Sequence, residues 1–241
     1  DQSSQGQVSA LQKAIASLLG KAGDNNKYKP RTRDELKSDI HLSFDYAMRD
    51  GIFSSEREAL TEDASKALYE WLKLLHKTLP PTWEIRALLN DLVKDFNYIS
   101  NHEAYLTNIL DRHPPQNSVW STSCSHGDPD AGYTCGLWEL FHAMTVGVVE
   151  YNYVVHEQRR ISTEQAAHTL RNYIKNFFGC VDCRNNFLTM YDTCAFDRCK
   201  RLSADKKGIA NDKLTIWAQL PLWLFEAHNS VNVRLMKERA E

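Results

Sequence analysis

Apolar residues recur at helical spacing along most of the chain. Val8, Leu11, Ile15 and Leu18 form the first stripe, closed by Gly20 or Gly23, and the polar stretch 24–31 reads as a linker. Asp34 predicts the cap of a helix carrying Leu36, Ile40, Phe44 and Met48, ended by Gly51. Thr61 starts another, with Leu68, Leu72, Leu75 and Leu79 on one face, and Pro80-Pro81 forbids its continuation. Thr82 predicts a fourth, presenting Ile85, Leu89, Leu92 and Phe96. Ser100 with Glu103 reads as a capping box for a fifth, stopped by Pro114-Pro115. Further on, Ser162 with Gln165 is a second capping box, opening a helix with Leu170, Tyr173, Ile174 and Phe177 inward and Gly179 as its stop. Stripes of this kind are helix-packing faces, and the fold class they predict is all-α, a helical bundle. His41, His76, His102 and His113 have no metal-like spacing and read as surface or cap residues.

Composition agrees. Ten glycines and seven prolines in 241 residues leave little room for frequent hairpins, since average proteins carry about 12% of the two together. The formal net charge of -2 gives no electrostatic case for nucleic acid or an anionic membrane, and no apolar run approaches the ~20 residues a bilayer span needs. The opening Asp-Gln-Ser-Ser is not a signal peptide, and the expectation is that any targeting signal was removed or was never there.

The six cysteines, Cys124, Cys135, Cys180, Cys183, Cys194 and Cys199, all lie beyond residue 115. Their even number and pairwise clustering suggest disulfides and an oxidising compartment, although spacing does not fix connectivity. Cys180-Val181-Asp182-Cys183 follows Gly179 and precedes renewed helical patterning, which puts the CxxC pair at a helix N-terminus. Free N–H groups and the helix dipole there favour a thiolate, the nucleophile of disulfide exchange. Two other readings compete. Cys180, Cys183, Cys194 and Cys199 could ligate zinc, but the ten residues between the pairs carry a helical pattern rather than ribbon turns. All six could be inert staples, which is the preferred reading for Cys194 and Cys199.

Two aromatic-imidazole clusters accompany the cysteines. Trp138 and His142, four residues apart, share a helix face. Leu224, His228, Val231 and Leu235 form another face, with Asn232 beside it. Polar groups inside apolar stripes need partners. Together the two clusters suit a flat heteroaromatic cofactor held between helices.

Cys-Gly-Leu-Trp-Glu-Leu-Phe-His at 135–142, Phe-Phe-Gly-Cys-Val-Asp-Cys at 177–183 and His-Asn-Ser-Val-Asn at 228–232 resemble the three signatures of the Erv flavin domain, in order and separation. The sequence is similar specifically to quiescin sulfhydryl oxidases, in which a cofactor-free pseudo-Erv segment precedes the flavin domain. Residues 35–53 and 81–96 resemble that segment. The resemblance implies three parts: an N-terminal helix and linker (1–33), a helical pseudo-Erv domain (34–115) and an Erv-type FAD-binding domain (116–241). It implies oxidation of dithiols or reduced proteins by molecular oxygen, with hydrogen peroxide as product. Cys180 matches the interchange thiol and Cys183 the flavin-proximal one. Trp138, His142, Asp182, Asn186, His228, Asn229, Val231 and Asn232 match positions at the FAD site, and Cys124 with Cys135 matches a structural disulfide.

Three departures stand out. Ala131 occupies a position where relatives often have arginine, Asn186 replaces a common histidine, and Cys194 with Cys199 stands in for a downstream CxxC. The family's thioredoxin-like domain and its last FAD contacts would lie outside this sequence, which therefore resembles a C-terminal fragment of a secretory-pathway enzyme. The alternative function is a non-catalytic helical interaction module with structural or zinc-binding cysteines. A water-poor flavin pocket also predicts that surrounding helices shield the CxxC pair.

Overall fold

The computed structural model describes residues 31–53, 59–128, 131–202 and 213–238, and every regular element among them is helical. The first apolar stripe, at Val8 to Leu18, and most of the expected linker lie outside the described residues. Eight helices form the body: α1 (Arg33–Gly51), α2 (Glu62–Thr78), α3 (Ile85–Lys94), α4 (Glu103–Arg112), α5 (Tyr133–Val154), α6 (Thr163–Phe177), α7 (Val181–Asp192) and α8 (Lys213–Glu238). Single turns at Phe96–Ile99, Thr122–Ser125 and Arg198–Arg201 connect them.

The stripes bury as their spacing requires. Ile40, Phe44 and Met48 on α1 and Leu68, Leu72 and Leu75 on α2 enter one core with Leu140 and Met144 of α5 and Leu170 and Tyr173 of α6. The cysteine-free half and the cysteine-bearing half therefore share that core. Trp71 sits at the junction, stacked on Tyr173 at 4.6 Å and edge-on to Phe141 at 5.7 Å. α5 runs through the centre, and two glycines let it approach its neighbours closely. A β-carbon on Gly136 would run into Ser43 and the Asp39 backbone of α1, and one on Gly147 into the Thr78 backbone at the end of α2.

Helix starts follow the capping signals in some places and not in others. Thr61 Oγ1 accepts the Ala64 N–H at 3.3 Å, and Ser162 Oγ accepts the Gln165 N–H at 3.0 Å. Thr82 caps nothing. The chain turns at Pro80 to Trp83, where backbone carbonyls accept the Trp83, Arg86 and Ala87 N–H groups, and α3 starts only at Ile85 with no side-chain cap. Ser100 also fails as a cap: His102 precedes α4, and Ser100 Oγ donates to the Asn97 carbonyl at 3.4 Å. His41 corrects a further expectation, because it is buried at 6% exposure rather than at the surface.

A buried polar clamp fixes the approach to α6. Asn152, fully buried, donates Nδ2 to the Ile161 carbonyl at 2.7 Å and accepts the Ile161 N–H at 2.8 Å. Asn152→Ala leaves both Ile161 groups unsatisfied and is expected to cost about 2–4 kcal/mol in urea unfolding. A loss below about 0.5 kcal/mol would show that water replaces the clamp.

Candidate active site

A chain break in helicity at Phe178-Gly179 places Cys180 as the N-cap of α7, with extended backbone and its Sγ accepting the Cys183 N–H at 3.3 Å. The two residues between the cysteines span one turn, and Cys180–Cys183 is closed as a disulfide with Cα atoms 5.3 Å apart. Cys180 is exposed and Cys183 half-buried. The expected shielding therefore extends in part to Cys183 and not to Cys180. A thiolate leaving at this helix start meets unpaired N–H groups and the positive end of the dipole.

Both sulfur-bearing residues line a cavity of about 480 Å³ between α5, α6, α7 and α8. Leu137, Trp138 and Phe141 form one wall, Ile174, Phe178 and Phe187 another, and His228, Val231, Asn232, Arg234 and Leu235 the third. Trp138 and His228 stack face to face, with centroids 4.2 Å apart and planes at 6°. Behind them His142 Nε2 meets His228 Nδ1 at 3.0 Å, one ring N–H donating to the other's lone pair.

Such a pair holds together only while one partner is neutral. Burial, with His142 adding repulsion, pushes the His228 pKa down to about 4, and burial lowers that of His142 against the pull of Glu139. Both rings are then neutral at pH 7. The sign of the pH effect follows. Between about 6.5 and 4 the unfolded chain takes up protons here that the folded chain does not, so stability falls as pH falls through that window. Thermal melts at pH 7 and pH 5 are expected to show a smaller acid-induced drop in His228→Phe than in wild type. An equal drop in both would remove the pair from the acid response.

Family position and geometry do not select the same residues. Trp138, Cys180, Cys183, His228, Val231 and Asn232 line the cavity, and His142 reaches it through His228. Asp182, Asn186 and Asn229 are exposed and do not line it. Phe178, from within the 177–183 signature, also lines it, and Phe187 and Arg234 do so without having been singled out from sequence. Phe187 was legible, being four residues beyond Cys183 on the same face of α7. Cys124–Cys135 and Cys194–Cys199 are closed disulfides, with Cα separations of 5.4 and 5.3 Å, so every cysteine is paired. The four sulfurs considered as zinc ligands sit at opposite ends of α7, and no metal-binding group of His, Cys, Asp or Glu occurs among the described residues.

Comparison with known proteins agrees with this arrangement. Residues 135–241 match the family model described as the Erv1 / Alr family. The chain is 26% identical over 178 residues to sulfhydryl oxidase 1 of Cavia porcellus, covering 74% of this chain and 24% of that protein. It is 33% identical over 113 residues to the human sulfhydryl oxidase 1, covering 46% of this chain and 13% of that one. The chain thus spans a quarter or less of the length of these relatives. Among solved structures, the sulfhydryl oxidase fragment of human QSOX1 superposes with a TM-score of 0.59 at 22% identity, over 82% of this chain and 74% of that one, and shares the all-α fold. The segment that supplies the CxxC turn, the Trp138–His228 stack and most of the cavity wall thus matches the Erv1 / Alr family model, in a chain similar over part of their length to the sulfhydryl oxidases.

Proposed function

We propose that this chain is an FAD-dependent thiol oxidase module that converts dithiols to disulfides at Cys180–Cys183, with oxygen as final acceptor and hydrogen peroxide as product. The observation that carries the reading is the placement of a closed CxxC disulfide, at a helix N-terminus, in the wall of an aromatic cavity.

The chemistry of the residues supports it step by step. A substrate thiolate attacks Cys180 Sγ, the exposed sulfur, and the Cys180–Cys183 bond breaks. Cys183 leaves as a thiolate beside the first N–H groups of α7. The second substrate thiolate then attacks the substrate sulfur of the mixed disulfide, releasing the oxidised substrate and Cys180. Two electrons now reside on the protein as a dithiol.

The cavity fits a flavin. Its volume lies in the roughly 300–1,000 Å³ range of small-molecule sites, its walls are flat and apolar, and its few polar groups converge. Trp138, Phe187 and His228 would bound the ring system, Asn232 and the neutral histidine pair would meet its heteroatoms, and Arg234 would add a cation for phosphate. When bound, the flavin supplies the two-electron acceptor that returns Cys180 and Cys183 to the disulfide and delivers the pair to oxygen. Asp182, Asn186 and Asn229 keep their family-based assignment to the FAD site within this proposal, as contacts at its solvent side.

The proposed substrates are small dithiols and reduced proteins, delivered by a thioredoxin-like domain of a longer chain, and the proposed location is the secretory pathway, which three disulfides suit. No described helix is long and apolar enough to cross a membrane. In an oxygen electrode, purified protein with FAD should consume oxygen on addition of dithiothreitol and form one peroxide per disulfide made. Uptake no faster than with FAD alone would sink the reading.

A further inference from the structure

At the end of α7 away from the cavity, residues 194–199 form a small ring closed by Cys194–Cys199. Its backbone is left-handed at three non-glycine positions, Cys194 (φ 60°), Phe196 (φ 56°) and Asp197 (φ 56°). Side chains resist that region, so the ring holds its backbone under strain. One residue of the ring, Arg198, is buried at 9% exposure. Its guanidinium covers the Tyr191 ring at 3.7 Å, and Nε donates to the Tyr191 carbonyl at 2.9 Å. Nη2 is aimed at the disulfide, 3.0 Å from Cys199 Sγ and 3.6 Å from Cys194 Sγ.

Among the described residues no carboxylate pairs directly with the charge on Arg198. Asp192 feels it only at longer range and is held by Arg171 at 2.9 and 2.7 Å. A buried cation facing a neutral disulfide forgoes the pairing that normally offsets its desolvation. Reduction creates the missing partner, because a thiolate formed at either sulfur is already within reach of Nη2. Opening the ring also frees the three left-handed residues. Both effects stabilise the reduced form, which is what makes a disulfide easily reduced. Access agrees, since Cys199 is exposed, whereas Cys124 of the other outlying pair is 3% exposed.

We propose that Cys194–Cys199 is a second thiol-exchange site, reduced by external dithiols, with Arg198 as the group that stabilises its thiolate. The incoming thiolate attacks Cys199 Sγ, the Cys194–Cys199 bond breaks, and Cys194 leaves as a thiolate beside Arg198. The second thiolate of the same dithiol attacks its own sulfur in the mixed disulfide and frees Cys199. The external dithiol is oxidised by two electrons and the protein disulfide reduced by two. Exchange does not run between the two sites, because the twelve residues of α7 span about 18 Å and a disulfide needs Cα atoms within about 7 Å. The site therefore stands independently of the flavin reading.

The test equilibrates the whole chain in graded dithiothreitol redox buffers, quenches with acid, alkylates free thiols and maps all three pairs by mass. Cys194–Cys199 is expected to open in buffers that leave Cys124–Cys135 closed. Arg198→Met is expected to shift its equilibrium toward the disulfide at least tenfold, about 30 mV, and Arg198→Lys to shift it less. Closed Cys124–Cys135 in the same samples reports an intact fold, and the wild-type comparison stands alone if Arg198→Met does not fold. Opening of Cys194–Cys199 only together with Cys124–Cys135, or an unchanged midpoint in a folded Arg198→Met, would overturn the assignment.

Discussion

Replacing Cys183 with serine is expected to lower dithiothreitol-driven oxygen uptake by about 10³-fold or more, since the two sulfurs act as one unit and neither half completes the exchange alone. Cys180→Ser should fall by a similar factor, because the exposed sulfur that accepts the incoming thiolate is gone. Trp138, Phe187 and His228, which wall the cavity beside the two cysteines, are unchanged in both variants, so bound flavin should persist in each. Oxygen uptake at the wild-type rate in Cys183→Ser would remove that sulfur from the path of the electrons.

The largest expected stability effect lies away from the chemistry, at Trp71. Its ring is fully buried between Tyr173 and Phe141, joining α2 to α5 and α6. Trp71→Ala is expected to cost about 3–5 kcal/mol in denaturant unfolding, as the surrounding helices cannot close over the cavity it leaves. Because both halves share one core, the α2 and α8 regions should lose hydrogen-exchange protection together. Trp71→Phe should cost much less. It keeps the stack and removes an indole N–H that is buried without a hydrogen-bond partner. Separate unfolding transitions for the two halves in Trp71→Ala would contradict a shared core.

The parts legible in the sequence are those decided by local spacing. Leu68, Leu72 and Leu75 align on α2 because the helix repeat puts them there. Cys180 becomes an N-cap at the helix restart the sequence marks, although α6 has already ended at Phe177, with Phe178 extended, before Gly179 is reached. The Ser162 cap needed only a hydroxyl with an N–H three residues on. What escaped depends on groups distant in sequence, or on a competing turn. Thr82 and Ser100 carry ordinary capping chemistry, yet backbone turns satisfy the N–H groups at those points first. His41 reads as a surface residue from α1 alone and is buried only once later elements pack over it.

The candidate site divides in the same way. On α7, Cys183, Phe187 and Tyr191 follow the four-residue repeat inward, which leaves Asp182 and Asn186 on the solvent side. That repeat was available from sequence, whereas the two polar residues came from family position. The His142–His228 contact joins residues 86 apart, and no local pattern encodes it.

The central claim is that electrons from a dithiol enter through Cys180–Cys183 and reach a flavin held in the adjoining cavity. Anaerobic visible spectroscopy of the purified protein, reconstituted with FAD and freed of excess, tests it most directly. The protein should carry flavin absorbance that stoichiometric dithiothreitol bleaches within the mixing time of the enzyme's own turnover and that air restores, while Cys183→Ser stays coloured. A protein that retains no flavin, or one whose flavin bleaches equally fast in Cys183→Ser, would contradict the account.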